Sequence, residues 1–193
     1  MARYLGPKVK MRQKFGLAAA GETHRRQNLR PRKKSDYGER LLQKQKLKFI
    51  YGIMERQMQR YAREAFKSTG EAPVVLLQRL ETRLDNIVYR LGLGRTREQA
   101  RQLVTHGHVL VDDKKLDIPS YQVLPGQAIS FRPKTAKKPR ISEEIKNNRQ
   151  AGVALGHLQL EPMGGRLLHL PKPTDLPQDV DIAQVLEFYH SII

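Results

Sequence analysis

The chain has no cysteine and no tryptophan, and only 6% of its 193 residues are aromatic. Without cysteine there is no disulfide, no thiolate metal site and no thiol nucleophile. No stretch approaches the roughly 18–20 uncharged apolar residues of a membrane span. The first twenty residues, broken by Arg and Lys, lack the apolar run of a signal peptide. These absences lead to the expectation of a soluble, intracellular chain. Acidic residues are also few: 19 Asp and Glu stand against 36 Lys and Arg, a net charge of +17.

The surplus is concentrated. Residues 1–50 carry a net +12 and residues 86–140 a net +7, whereas 51–85 carry +1 and 141–193 carry −3. Gathering one sign into two blocks costs self-repulsion that a polyanion relieves. A membrane-surface helix needs apolar anchors, yet GETHRRQNLRPRKKSDYG (21–38) is polar on every side. Nucleic acid is therefore the predicted partner, and no membrane.

Residues 1–34, interrupted by Gly6, Pro7, Gly16, Gly21 and Pro31, read as a basic extended arm that orders only on its partner. Ser35 is a helix cap, and helical spacing runs from there to about Lys67, with a possible break at Gly52. Lys44, Lys48 and Arg56 share the polar face. After a turn at 68–73, Leu76, Leu77, Leu80, Leu84, Ile87, Val88 and Leu91 form one apolar stripe, stopped by Gly92 and Gly94. Thr96 and Gln99 form a capping box that opens a helix to about His106, with Gly107 as its stop. The period then falls to 2: HVLVDDKKLDI reads as strand, turn at Asp112–Asp113, strand, and QAISFR as a third strand. Residues 133–140 read as a basic loop, ISEEIKNNRQAG as a short polar helix, and the Gly- and Pro-rich stretch beyond it as loops. The closing VDIAQVLEFYHSII is apolar enough to dock on the first helical unit.

The most informative stretch is RLDNIVYRLGLGRTREQARQLVTHGHVLVDDKKLDIPSY (83–121): helix, glycine turn, helix, hairpin. Arg97 and Arg101 are one turn apart on a helix whose Ala100, Leu103 and Val104 claim the core side. Arg90 and Arg95 flank the glycine turn, and Lys114 and Lys115 follow the hairpin bend. Cations so spaced suit the phosphates along an A-form groove, where shape is read more than base identity. Replacing Arg97 and Arg101 together by Glu is expected to abolish binding with the fold intact. Among the tyrosines, Tyr37, Tyr51 and Tyr121 are candidates for stacking on bases, whereas Tyr61 and Tyr89 are assigned to the core. Asp85 is expected to pair locally, with Arg83 or a neighbouring basic residue. His106 and His108, with no further ligand nearby, do not make a metal site. Glu143 and Glu144 point about 100° apart on a helix and read as a solvated face.

This stretch resembles the RNA-binding motif of the small-subunit ribosomal protein four family. MARYLGPK at the start, SDYGERLLQKQKLKFIYGIMERQ from Ser35 and VLEFY near the end are similar to the same family, in the same order. The resemblance implies a ribosomal protein that binds small-subunit ribosomal RNA at a multi-helix junction. It further implies nucleation of subunit-body assembly and contacts with small-subunit ribosomal protein five that influence decoding accuracy. Its amino-terminal region is implied to lie near messenger RNA at the entry channel. Other small-subunit proteins are implied neighbours, and the location is a cytoplasmic or organellar ribosome. The implied RNA-facing residues are Arg97, Arg101, Gln102, His106, His108 and Lys115 in the motif. To these it adds Ser35, Tyr37, Arg40, Lys44 and Lys46 in the second block, Arg3 in the first, and the basic group Arg30, Arg32, Lys33 and Lys34. The family's zinc-binding cysteines are missing, the chain ends FYHSII, and His157 stands where a tryptophan is common. No cofactor or metal is expected.

The fold class read from all this is α+β. A discontinuous all-α domain (35–80 with 166–193) accompanies an RNA-binding domain (81–165) that holds the two-helix and hairpin motif (83–118) and a small sheet. No enzyme is predicted. The same module is appended to pseudouridine synthases and tyrosyl-tRNA synthetases, but those need a separate catalytic domain of about 100 residues or more. The alternative reading is a free-standing RNA chaperone or ribosome-associated factor using the same module.

Overall fold

The computed structural model of the chain describes residues 8–17, 35–150, 156–172 and 180–192. It divides into two compact units, Met1–Arg63 with Asp179–Ile193, and Glu64–Gln178.

In the first unit, Ser35 caps α2 (Asp36–Tyr51), its hydroxyl accepting from the Gly38 N–H at 3.2 Å. The helical pattern breaks at Gly52 and resumes as α3 (Glu55–Lys67). Asp181 caps the closing helix, α9 (Ile182–His190), which packs on α2 and buries Ile182, Val185, Leu186, Phe188 and Tyr189. The extended-arm expectation is corrected in part. Residues Lys8–Lys14 form a helix, α1; Phe15 behind it is buried with its ring 5.5 Å from that of Phe49, and Lys14 Nζ reaches Gln45 Oε1 at 3.3 Å. One buried aromatic side chain thus anchors a segment whose overall composition is polar. The rest of the arm lies outside the described residues.

The second unit opens with α4 (Ala72–Glu81), followed by α5 (Leu84–Arg90) and α6 (Arg97–Thr105). The single stripe from Leu76 to Leu91 is in fact two helices. The backbone at 82–85 turns outward to bond a distant loop: Leu84 N–H donates to Tyr121 O, Asp85 N–H to Pro119 O, and Val123 N–H to Thr82 O. Strands β1 (Val109–Val111) and β2 (Lys114–Lys115) form the predicted hairpin, with Asp112 and Asp113 both at positive φ in its turn. Strand β3 is Ala128–Phe131. Two corrections follow. Part of the expected basic loop is helical, as α7 (Pro133–Ala136) and the start of α8 (Pro139–Gln150). The Gly- and Pro-rich stretch holds a hairpin, β4 (Leu158–Glu161) and β5 (Gly164–Leu167), giving a five-stranded antiparallel sheet of order β2-β1-β3-β5-β4. Gly164 and Gly165 make this possible. A Cβ on Gly164 would stand 2.1 Å from Ile129 O, and one on Gly165 2.4 Å from both Gln159 O and Leu91 Cδ2. What reads as a loop signal is a close-approach requirement within a sheet.

The core between helices and sheet gathers Leu84, Ile87, Val88 and Leu91 with Ala100, Val104, Val109, Ile129, Phe131, Ile145 and Leu167. The division of the chain differs from the sequence boundaries at 80/81 and 165/166. Helix α4 belongs to the second unit, where it packs on α5 and where Gln78 Nε2 donates to Pro171 O at 2.9 Å; β5 and the residues after it belong there as well.

Candidate nucleic-acid interface

Two buried carboxylates organise the cations of the second unit. Asp85 accepts from Arg83 through both oxygens (Nε to Oδ1 3.0 Å, Nη2 to Oδ2 2.8 Å) and from Arg101 Nε at 2.7 Å. Glu81, fully buried, accepts from Arg90 in the same forked manner (3.1 and 2.9 Å) and from Asn86 Nδ2 at 2.6 Å. The Asn86 carbonyl in turn accepts from Arg97 Nε at 2.9 Å, and the Arg97 guanidinium lies 4.6 Å from the centre of the Tyr89 ring. Four arginines from α5, with its N-cap residue, and α6 are therefore held by two carboxylates and an amide. Forked pairs fix the plane of a guanidinium as well as its position, so the entropy of ordering it is already lost before a ligand arrives. The network keeps a formal surplus of two positive charges.

This corrects the expectation that Arg97 and Arg101 simply point away from the fold. The Arg101 side chain is 22% exposed and rests against Asp85, itself 3% exposed. A Glu at position 101 would face that carboxylate, so the double replacement disturbs folding as well as binding. Asp85 pairs with Arg83 as the sequence suggests; Glu81 escaped notice because its partners lie five and nine residues away, across a helix break.

A second cluster forms at the end of α6. Gly107, at φ +67°, separates His106 from His108, whose ring centroids are 6.2 Å apart. His108 Nδ1 is 3.1 Å from Thr135 Oγ1, and the Arg132 guanidinium donates to Gly107 O at 3.2 Å. Burial, then the positive charges of His106, Lys138 and Arg132, hold His108 below its ordinary value. Lys114 and Lys115 are exposed on β2; Lys115 lies 4.0 Å from Asp117. Gln102 is exposed on α6, and Arg95 is exposed at the glycine turn, where its N–H donates to Gln99 Oε1. Tyr121 is half-buried, its ring packing against the core and its hydroxyl bonding Gln127 at 3.3 Å; in the first unit Tyr51 is corrected, since at 2% exposure it offers bases no stacking face.

In the first unit the sequence candidates have mostly internal partners. Lys44 (3.2 Å) and Lys48 both bind Glu55, and Tyr189 donates to the same carboxylate at 2.9 Å. Lys44 Nζ also sits 4.2 Å from the Phe188 ring centre. Arg40 pairs with Glu187 at 3.1 Å across α2 and α9. Tyr37 is exposed, with its ring 5.5 Å from Phe188, Arg56 is exposed, and Lys46 is half-buried. Arg3, Arg30, Arg32, Lys33 and Lys34 lie outside the described residues. Among the described residues no helix is long and apolar enough to cross a membrane.

Comparison with known proteins places these features. Residues 82–129 match the family described as the S4 domain, and residues 3–81 the family described as the ribosomal protein S4/S9 N-terminal domain. The chain is 41% identical over 203 residues to the small ribosomal subunit protein uS4 of Persephonella marina, with 98% of this chain and 99% of that one covered. It is 41% identical over 192 residues to uS4B of Clostridium acetobutylicum, with 98% of each chain covered. Over 200 residues it is 42% identical to uS4 of Geobacillus stearothermophilus, with 98% and 99% covered.

Proposed function

Because the chain belongs to the small ribosomal subunit protein uS4 family, whose members are structural and non-enzymatic, we propose that it binds small-subunit ribosomal RNA at a multi-helix junction and nucleates folding of the subunit body around it. The observation that carries this reading is the set of arginines fixed by Asp85 and Glu81 within the segment that matches the S4 domain. An RNA junction presents phosphates at fixed spacings, and a rigid array of guanidinium groups meets them at little ordering cost. Each phosphate neutralised releases condensed counterions, which drives association.

The proposed RNA contacts are Arg90, Arg95, Arg97, Arg101, Gln102, His106, His108, Lys114, Lys115 and Tyr121 in the second unit. Those in the first are Ser35, Tyr37, Arg40, Lys44, Lys46, Lys48 and Arg56, with Arg3, Arg30, Arg32, Lys33 and Lys34 of the basic arm. An interface with small-subunit ribosomal protein five, an influence on decoding accuracy and proximity to messenger RNA belong to the same proposal, as does residence on the ribosome. Hydroxyl-radical footprinting of the full chain on deproteinised small-subunit RNA tests it. Protection clustered at one junction is the expected result. Protection scattered without preference, or equal protection of large-subunit RNA, overturns it.

A further inference from the structure

Gly107 is the centre of a cluster drawn from three separate segments. Its carbonyl accepts from Arg132, and the Arg132 N–H donates to His108 O at 2.9 Å, which ties the end of β3 to the start of β1. Its bare α-carbon is covered by Lys115: a Cβ there would stand 2.3 Å from Lys115 Cε and 3.1 Å from Nζ. His108 is oriented by the buried Thr135 hydroxyl, and Lys138, just after α7, bears on the same ring. After burial, the charges of His106, Lys138 and Arg132 disfavour the protonated form of His108. Lys115 also lies 4.0 Å from Asp117, with both side chains more than half exposed, so solvent screens that pair. Like charges gathered this way repel at a cost that an anion removes.

We infer that His106, His108, Lys115, Arg132 and Lys138 together form a phosphate-binding surface for the RNA backbone, extending the interface to the residues that flank α7. Arg132 and Lys138 lie beyond residue 129, where the S4-domain match ends. The inference rests on the RNA-binding function proposed above. Around the one turn at Gly107 stand donors of three kinds, the His108 imidazole, the Arg132 guanidinium and the Lys115 ammonium, from which a phosphodiester oxygen can accept. A phosphate oxygen beside His108 favours its protonated form, so the bound complex takes up a proton and binding tightens as pH falls through the histidine range.

The test uses the full chain and small-subunit ribosomal RNA, with Lys138→Glu, Arg132→Gln and His108→Gln variants. Lys146→Glu, an exposed position on α8, serves as a control for net charge alone. Lys138→Glu is expected to weaken binding about tenfold and to flatten the log–log salt slope by roughly one. Arg132→Gln should flatten it similarly, and Lys146→Glu should leave it nearly unchanged. Wild-type affinity should rise from about pH 8 to about pH 6, and His108→Gln should lose part of that rise. Lys138 is exposed, so its variant retains the fold, which thermal melting verifies. Equal losses for Lys138→Glu and Lys146→Glu, no loss for either, or an unchanged pH response in His108→Gln overturns the inference. Failure of the wild type to bind small-subunit RNA would instead overturn the function from which it proceeds.

Discussion

The two units hold their carboxylates at different depths. In the first, Glu55 is 36% exposed and collects Lys44, Lys48 and Tyr189 around the junction of α2, α3 and α9. In the second, Glu81 and Asp85 are at most 3% exposed and each holds an arginine by a forked pair. Burial pushes the Glu55 carboxyl upward, but hydrogen bonds from Lys48 and Tyr189 and the charges of both lysines outweigh it, so it sits below its ordinary value. Solvent screens such a hub, and its work is to fasten helices together. A carboxylate out of water is different: it is stable only while its cations stay in place. The lesson is that the first unit uses charge as an adhesive, whereas the second uses buried charge as a mount that fixes arginines in place, Arg83 and Arg90 deeply and Arg101 with 22% of its side chain still exposed.

The sharpest way to break this contrast is to remove the deep partner. Asp85→Ala leaves Arg83 buried without its forked partner, and should lower unfolding free energy by about 3–5 kcal/mol in denaturant titration. A loss below about 1 kcal/mol would mean the depth of the pair is unimportant. Gly107→Ala comes next. The left-handed backbone and the displaced Lys115 together should cost about 1–2 kcal/mol, read by the same titration, while Arg97 and Arg101 keep their partners. In the first unit the expected effect depends on pH. Because Glu55 has a depressed folded value, its contribution is present above the unfolded carboxyl range and is lost as pH falls through the folded value. The melting temperature of wild type should therefore drop more steeply in mild acid than that of Glu55→Gln; parallel curves would remove Glu55 from the hub. The smallest effect belongs to Arg40→Ala, which breaks an exposed pair with Glu187. It should change stability by less than about 0.5 kcal/mol, and a large loss would erase the distinction between screened and buried pairs.

Much of this arrangement is legible in the residues, and what is not has a common cause. Helix α6 and its hairpin could be read because their signals are local: Thr96 with Gln99, the change of period at His108, and the two aspartates in the turn. Asp112 even locks the turn to β3, accepting from the Ala128 N–H at 2.9 Å. The break between α4 and α5 could not be read, because Leu76 to Leu91 keep helical spacing while the interruption is imposed by a loop some 40 residues away. Tertiary hydrogen bonds there override local preference. The hairpin β4–β5 was hidden for the opposite reason: Gly164 and Gly165 carry a turn signal but occupy a tight strand pairing. Within the candidate site, the shared face of Arg97 and Arg101 followed from spacing alone. That Asn86 and Asp85 hold them, and that Arg132 and Lys138 join His108, depends on the folded chain bringing α5 beside α6 and the segment around α7 beside His108.

The central claim is that a pre-arranged cationic surface in the second unit meets RNA phosphates. Its most direct test is the affinity of the full chain for small-subunit ribosomal RNA measured across a range of salt concentrations. One phosphate for each of Arg90, Arg95, Arg97, Arg101, Lys114 and Lys115 predicts a log–log slope of roughly −4 to −5, at about 0.7 to 0.9 per contact. An affinity that stays level as salt rises would contradict the account.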